Sequence, residues 1–415
     1  MSKKKQAVNN RFPWLFLALI LIFGIWMTYL YGVFYIPSLP QAEIPPYLSD
    51  SPLTDPVTAD TARSDSTQAA QTAASPPVTD NHPSETAEPS TAAASENTAA
   101  NVVSRRPGVY NILCAGRDDA AFNTDALLLI SFDAENSTAN VVQIPRDTYF
   151  DGNKINAYWA KQRTAAKKNG AADADAAAMD ALCRSLEKAL CIKIDHWVLC
   201  GLSAVREVVD ALGGVTVDVP YDMDYDDPDQ NLSIHLTAGI QTLNGTQAEG
   251  LIRFRSGYIR GDLGRIDMQK LFLSALLEQG KQISLLALPS LVMTASNHLR
   301  SALSFSDLLY FAKNAQKLDA SRVRFLTLPG TDCRANGDSG AWYYVLSANG
   351  TLDVVNQYLN VYASPVTKTV FDRDMRLTDA SNPTLMSYYR KDLSADVTTA
   401  ASLGEDGVSI AVIPK

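Results

Sequence analysis

Residues 12–36 form a run of 25 residues without a single charge, rich in Leu, Ile, Phe and Trp. As a helix rising ~1.5 Å per residue, the run reaches roughly 37 Å, enough to cross a hydrocarbon core. Trp14, Trp26, Tyr29, Tyr31 and Tyr35 include rings suited to the membrane–water boundary. A cleaved signal peptide has a shorter apolar region that ends at a small-residue site. Here the run leads into Ile36-Pro37-Ser38-Leu39-Pro40, with no Ala-x-Ala pattern. It is therefore read as an uncleaved anchor. Lys3, Lys4, Lys5 and Arg11 precede it with no acid. The positive flank places residues 1–11 in the cytoplasm and everything after residue 36 outside the cell membrane.

The whole chain carries a formal net charge of -9, with 46% hydrophobic and 20% charged residues. That composition excludes a wholly disordered chain, a polytopic membrane protein and a uniformly basic nucleic-acid binder. The average conceals three segments. The first 36 residues are basic, residues 37–106 carry nine acids against Arg63, Arg105 and Arg106, and the remainder is mildly acidic. Residues 37–106 are mainly Ala, Ser, Thr, Pro, Asp and Glu, with no aromatic residue after Tyr47. Such a stretch cannot bury enough surface to offset its ordering entropy, and it reads as a disordered stalk. A folded domain is expected over 107–362, with a C-terminal extension over 363–415.

From residue 109 the apolar pattern becomes regular. Strands are expected at 109–115, 125–132, 139–144, 196–200, 215–219 and 323–328, with a hairpin turn at 133–138. Helices are expected at 171–190, 202–212, 248–254 and 265–282. Mixed in this order, the elements indicate a layered α/β or α+β domain. Residues 363–367 and 408–414 read as strands or as part of a loosely ordered tail. The five cysteines, Cys114, Cys183, Cys191, Cys200 and Cys333, match no zinc spacing. Cys114 and Cys200 sit in apolar runs and are expected to pack as small hydrophobes. An extracytoplasmic disulfide is allowed but not demanded.

Two motifs are decoys. Gly337-Asp338-Ser339-Gly340 matches the tetrapeptide around a serine-protease nucleophile, but no histidine stands in the matching context and the helices contradict that fold. Asp222-Met-Asp224-Tyr-Asp226 starts like a calcium loop, yet Asp227 and Ser233 occupy the positions where Gly and Glu are needed. It reads as a solvated loop.

The informative constellation lies elsewhere. Asp118 follows the first strand, Asp125 opens the second, and Arg146-Asp147 follow the third after Pro145. Strand ends are where sites gather on α/β scaffolds. Later come Arg253, Arg255, Arg260, Asp262, Arg265 and Gln269. Arg253 and Arg255 alternate as in an extended segment, whereas Arg265 and Gln269 share one helical face. Guanidinium groups pair bidentately with phosphate oxygens, and carboxylates hold Mg²⁺ against them. Spacing alone leaves a surface ion-pair network open as the alternative.

These residues stand in the order of a known family. The chain resembles the LytR-CpsA-Psr proteins, cell-envelope glycopolymer ligases of mainly Gram-positive bacteria. The matching stretches run from Asn111-Ile-Leu-Cys-Ala-Gly-Arg-Asp118 through Thr124-Asp125-Ala-Leu-Leu-Leu129 to Ile144-Pro145-Arg146-Asp147-Thr148. They continue through Lys154-Ile-Asn156-Ala-Tyr158, Val209-Asp-Ala-Leu-Gly-Gly-Val215 and Leu236-Thr-Ala-Gly-Ile-Gln-Thr-Leu-Asn-Gly245. Arg253-Phe-Arg255 and Gly261-Asp262-Leu-Gly-Arg265-Ile-Asp-Met-Gln269 close the set.

The resemblance implies an α-β-α domain around a central mixed sheet, with an apolar pocket for a polyprenyl chain. It implies transfer of a glycan phosphate from an undecaprenyl-pyrophosphate carrier to a peptidoglycan hydroxyl, with Mg²⁺ or Mn²⁺. Asp118 and Asp125 would take the metal. Arg146, Asp147, Asp262 and Arg265 would form the catalytic set, Asp147 and Asp262 by orienting arginines or activating the acceptor. Arg253, Arg255, Gln269 and Arg117 would bind the pyrophosphate. Lipid bilayer, carrier-linked glycan and peptidoglycan are the implied partners, and nucleic acid is not. The chain departs from the family pattern at Asn123 and Met268, where arginines usually stand, and its loop from Asp118 to Asp125 is short. A non-catalytic binder of polyprenyl phosphate or glycan, and a pyrophosphate hydrolase, are the alternatives.

Overall fold

The structure is a computed structural model that describes residues 104–117, 124–228, 232–256, 258, 262–337 and 339–405. The expected anchor, most of the stalk and the expected strand at 408–414 lie outside the described residues. Among the described residues no helix is long and apolar enough to cross a membrane.

Seven strands build the central sheet: β1 (Val109–Arg117), β2 (Thr124–Asp133), β3 (Thr138–Ile144), β4 (His196–Gly201), β5 (Leu299–Ser301), β6 (Val323–Thr327) and β7 (Val397–Thr399). Their order is β5-β4-β1-β2-β3-β6-β7. β1 pairs parallel with β4 and β3 parallel with β6, while the other four pairings are antiparallel, so the sheet is mixed. β1, β3, β4 and β6 consequently run in one direction and end at one edge. The hairpin between β2 and β3 closes where Asp133 accepts from the backbone and side-chain N–H groups of Asn136, each at 2.9 Å.

Helices cover both faces. On one lie α1 (Ile155–Lys168) and α2 (Ala174–Leu190); on the other lie α3 (Leu202–Ala211), α4 (Gly245–Arg253) and α5 (Asp262–Lys281). Strand alternation divides the apolar residues accordingly. Leu113, Leu127, Leu129, Val142 and Ile144 pack with Trp159 of α1 and Met179 and Leu182 of α2. Phe132, Ala139 and Val141 pack with Val209 of α3, Leu251 of α4 and Met268 and Leu271 of α5.

The helix starts differ from the sequence reading because of their caps. α2 begins at Ala174, since the Asp173 carboxylate accepts from the N–H groups of Asp175 and Ala176. α4 begins three residues earlier than expected, at Gly245, behind a capping box of Asn244 and Gln247. α1 was not anticipated: it buries only Ile155, Asn156 and Trp159, too few to mark an apolar stripe. The acidic segment expected as a solvated loop is instead a strand, Met223–Asp227, paired with Leu232–Leu236. Met223 is its one buried residue, while Asp222, Asp224, Tyr225 and Asp226 are exposed, so the strand is held by its antiparallel pairing rather than by an apolar face. Residues 363–367 form no strand. Val366, Val370, Phe371, Leu385 and Tyr389 nevertheless join the core beside α1 and α2. Ser339 of the protease-like tetrapeptide follows a hairpin turn, its hydroxyl donating to the Asn336 carbonyl at 3.3 Å.

α4 lies unusually close to α3. A Cβ on Gly245 would collide with the Arg206 carbonyl oxygen and stand 2.7 Å from its Cα. Those are backbone atoms, so the two helices would have to part. Gly245→Ala is expected to cost about 1–3 kcal/mol, as overpacking of a filled contact does. A urea unfolding midpoint unchanged by the substitution would contradict this packing.

Candidate active site

The parallel strands end beside a cavity of about 720 Å³, between the sheet and helices α3, α4 and α5. Its position follows the general rule for open α/β sheets, in which ligands sit beyond the carboxyl ends of strands. Cys114, Leu128 and Cys200 form the floor from three neighbouring strands. Val205 of α3, Ile252 of α4 and Phe272 and Leu273 of α5 form apolar walls. Tyr225 and Leu232 of the acidic hairpin also line it.

Arginines line the same cavity. Arg117 comes from the end of β1, Arg146 from the turn after β3, Arg253 from the last residue of α4, Arg255 from two residues later, and Arg265 from the first turn of α5. Gln269 stands one helical turn beyond Arg265 on the same face, as the spacing required. No carboxylate is among the described lining residues. Arg265 is only 3% exposed, which does not fit a solvated surface network. The expected extended segment is confined to residues 254 and 255, because Arg253 still belongs to α4.

Packing sets the geometry of these side chains. The turn carrying Arg146 is closed by the Thr148 hydroxyl, which donates to the Pro145 carbonyl at 2.6 Å. Asp147 lies next to Arg146 rather than in the cavity wall, with its Oδ1 3.7 Å from Arg146 Nε and 3.1 Å from Lys154 Nζ. Gln143, buried on β3, donates to Gln269 Oε1 at 3.1 Å and so fixes the amide. Buried Asp175 takes Arg117 Nη1 at 3.3 Å and also pairs with Arg163 and Arg300. Gln143, Asp175, Lys154 and Glu249 were given no site role by sequence reasoning: Gln143 and Asp175 reach it only through tertiary packing, whereas Glu249 stands one helical turn before Arg253. Asp118, Asn123 and Arg260 lie outside the described residues. Asp125 and Asp262 are placed in β2 and at the start of α5, but their side chains are not described. Met268 is fully buried in the core, so an arginine at that position would have to enter the apolar packing.

All five cysteines are free thiols. Burial pushes the Cys114 thiol up to about 12 and the Cys200 thiol up to about 11. At neutral pH both are uncharged, which keeps the floor apolar. Iodoacetamide at pH 8 should therefore leave both residues unmodified in the native protein and label them after unfolding, read by peptide mass spectrometry. Rapid native labelling would show a floor open to water.

An apolar cavity flanked by five guanidinium groups suits one kind of ligand: an amphiphile whose apolar chain ends in a concentrated anion. Among the described residues no three metal-ligating side chains gather.

A sequence model of the LytR_cpsA_psr family matches residues 76–359, more than half of the chain, and the protein belongs to that family. The polyisoprenyl-teichoic acid–peptidoglycan teichoic acid transferase TagV of Bacillus subtilis (strain 168) is 27% identical over 250 residues, covering 59% of this chain and 62% of TagV. The cell wall biosynthesis protein LcpA of Corynebacterium glutamicum is 29% identical over 252 residues, covering 56% of this chain and 48% of LcpA. The match thus spans less than two-thirds of either relative. The crystal structure of B. subtilis TagV aligns with a TM-score of 0.50 at 26% identity, covering 60% of this chain and 95% of that one. The α/β architecture with a central mixed sheet is shared.

Proposed function

We propose that the protein is a membrane-anchored phosphotransferase that moves a glycopolymer phosphate from an undecaprenyl-pyrophosphate carrier to a peptidoglycan hydroxyl. The observation that carries this reading is the juxtaposition of five cavity arginines with an apolar floor. The apolar part takes isoprene units, and the arginines take the pyrophosphate. Residues 12–36 hold the protein in the bilayer where its carrier resides, with residues 1–11 cytoplasmic and the folded domain outside. Residues 37–103 would link that anchor to the folded domain, which already holds Arg105 through its ion pair with Asp195.

The chemistry is a single exchange at phosphorus. The acceptor hydroxyl oxygen bonds to the phosphorus that carries the glycan. The bond from that phosphorus to the bridging oxygen breaks, and undecaprenyl phosphate leaves with the electron pair. The hydroxyl proton passes to a carboxylate, for which Asp262 at the start of α5 is the candidate, while Asp147 orients Arg146. Arg146 and Arg265 stabilise charge on the equatorial and bridging oxygens, while Arg117, Arg253, Arg255 and Gln269 hold the pyrophosphate in line. A Mg²⁺ held by Asp118 and Asp125 would neutralise pyrophosphate oxygens when bound.

The test is to incubate the full-length protein in detergent with a polyprenyl-pyrophosphate-linked glycan, peptidoglycan and Mg²⁺. Glycan joined to peptidoglycan through a phosphodiester, with release of polyprenyl monophosphate, is expected. Carrier binding without turnover would mean a non-catalytic binder. Glycan phosphate released into water would mean a hydrolase.

A further inference from the structure

Arg253 is held by a carboxylate that is not itself part of the cavity wall. Glu249 lies one turn earlier on α4 and is 7% exposed. Its Oε1 accepts from Arg253 Nη1 at 2.9 Å, and its Oε2 accepts from Arg206 of α3. Arg206 is the residue whose backbone meets Gly245, so the ion pair crosses the closest approach of the two helices. α3 and α4 each contribute to the cavity wall through Val205 and through Ile252 and Arg253. The carboxylate therefore joins two walls of the site and one of its cations.

We propose that Glu249 is a positioning residue for Arg253, fixing its guanidinium towards the bound anion. This rests on the pyrophosphate reading of the cavity. A buried carboxylate beside an anion site is electrostatically unfavourable for the ligand: it lowers the positive potential that attracts phosphate. Its presence is explained if orientation matters more than potential. An arginine side chain has many rotamers, and holding it in one of them removes an entropic cost from binding. The i, i+4 spacing on α4 puts the carboxylate within reach of the guanidinium, and the second bond from Arg206 fixes the carboxylate in turn.

The two possible roles of Glu249 predict opposite signs. If it only neutralises charge between helices, replacing it makes the site more positive, and pyrophosphate binds equally well or more tightly. If it positions Arg253, the same change weakens binding although the site gains positive charge. Glu249→Gln is the discriminating variant, since it keeps the shape and one acceptor oxygen but cannot serve both arginines. Farnesyl pyrophosphate is titrated calorimetrically into the full-length wild type, Glu249→Gln, Arg253→Ala and the double variant, all in detergent.

About tenfold weaker binding is expected for Glu249→Gln, with no further loss when it is added to Arg253→Ala, because residues acting as one unit are not additive. Unchanged or tighter binding by Glu249→Gln overturns the proposal. Full additivity in the double variant also overturns it, since a general structural loss would not depend on Arg253. If Glu249→Gln does not fold, Glu249→Gln with Arg206→Met removes the interhelical ion pair as a whole and should show the same tenfold loss. A wild type that takes up no farnesyl pyrophosphate would instead refute the pyrophosphate reading, an outcome distinguished by silence in all the proteins.

Discussion

Arg265→Ala should abolish glycan transfer while leaving the protein folded. Arg265 is 3% exposed and lines the cavity from the first turn of α5. In the proposed reaction it would face the phosphate oxygens on which charge builds up during transfer. A charge-stabilising donor in a water-poor site typically contributes ~10²–10³-fold in rate, roughly 2.7–4 kcal/mol. The loss should appear in kcat more than in KM, because the contact strengthens as charge develops. Arg265→Lys is the informative control. It keeps the positive charge but loses the planar two-pronged donor set, so it should recover only a minor part of the rate. Arg146→Ala, at the turn after β3, should show the same pattern. Wild-type turnover in both alanine variants, with unchanged thermal unfolding midpoints, would refute the site assignment.

The elements that carry this site were legible to different degrees. β1, β2 and β3 could be read to within two residues because their apolar runs are continuous and bounded by turn chemistry, Asp133 with Asn136 at one end and Pro145 at the other. The arginines were legible as a set because they cluster against the sign of the domain's net charge. Arg265 and Gln269 also declared a shared helical face. The carboxylates and amides that hold them were not legible. Asp175 reaches Arg117 from α2, and Gln143 reaches Gln269 from β3, so both contacts depend on how helices dock on the sheet. Glu249 was close in sequence to Arg253, but its burial comes from α3, which no local pattern reveals. The helix α1 and the strand Met223–Asp227 escaped for a common reason. Each buries a narrow stripe and exposes mostly polar residues, so composition outweighed periodicity.

The cysteines carry a related lesson. Cys114 and Cys200 were expected to pack as small hydrophobes, and they do, but the surface they provide is the floor of the cavity. An apolar run marks a residue that leaves water. It does not say whether the residue meets the protein's own core or a ligand.

That distinction can be tested on the walls. Val205→Asp should remove the contribution of the isoprenoid chain to binding while sparing the anion site. Val205 is half-buried on α3 and lines the cavity. Each buried methylene of a ligand contributes about 0.8 kcal/mol, so a chain of a few isoprene units gains much of its affinity here. A carboxylate in the same wall would have to be desolvated when the chain enters, at a cost of several kcal/mol. It would also lower the positive potential nearby, an effect weakened by distance and by solvent when the cavity is empty. Inorganic pyrophosphate should therefore bind Val205→Asp within about threefold of wild type, while geranylgeranyl pyrophosphate should bind about a hundredfold more weakly or worse, the equivalent of ~2.7 kcal/mol. Calorimetric titration of both ligands separates the two contributions. Equal losses for the two would mean that the cavity does not divide into an apolar zone and a phosphate zone. No loss for either would place the isoprenoid chain somewhere other than between α3 and the sheet.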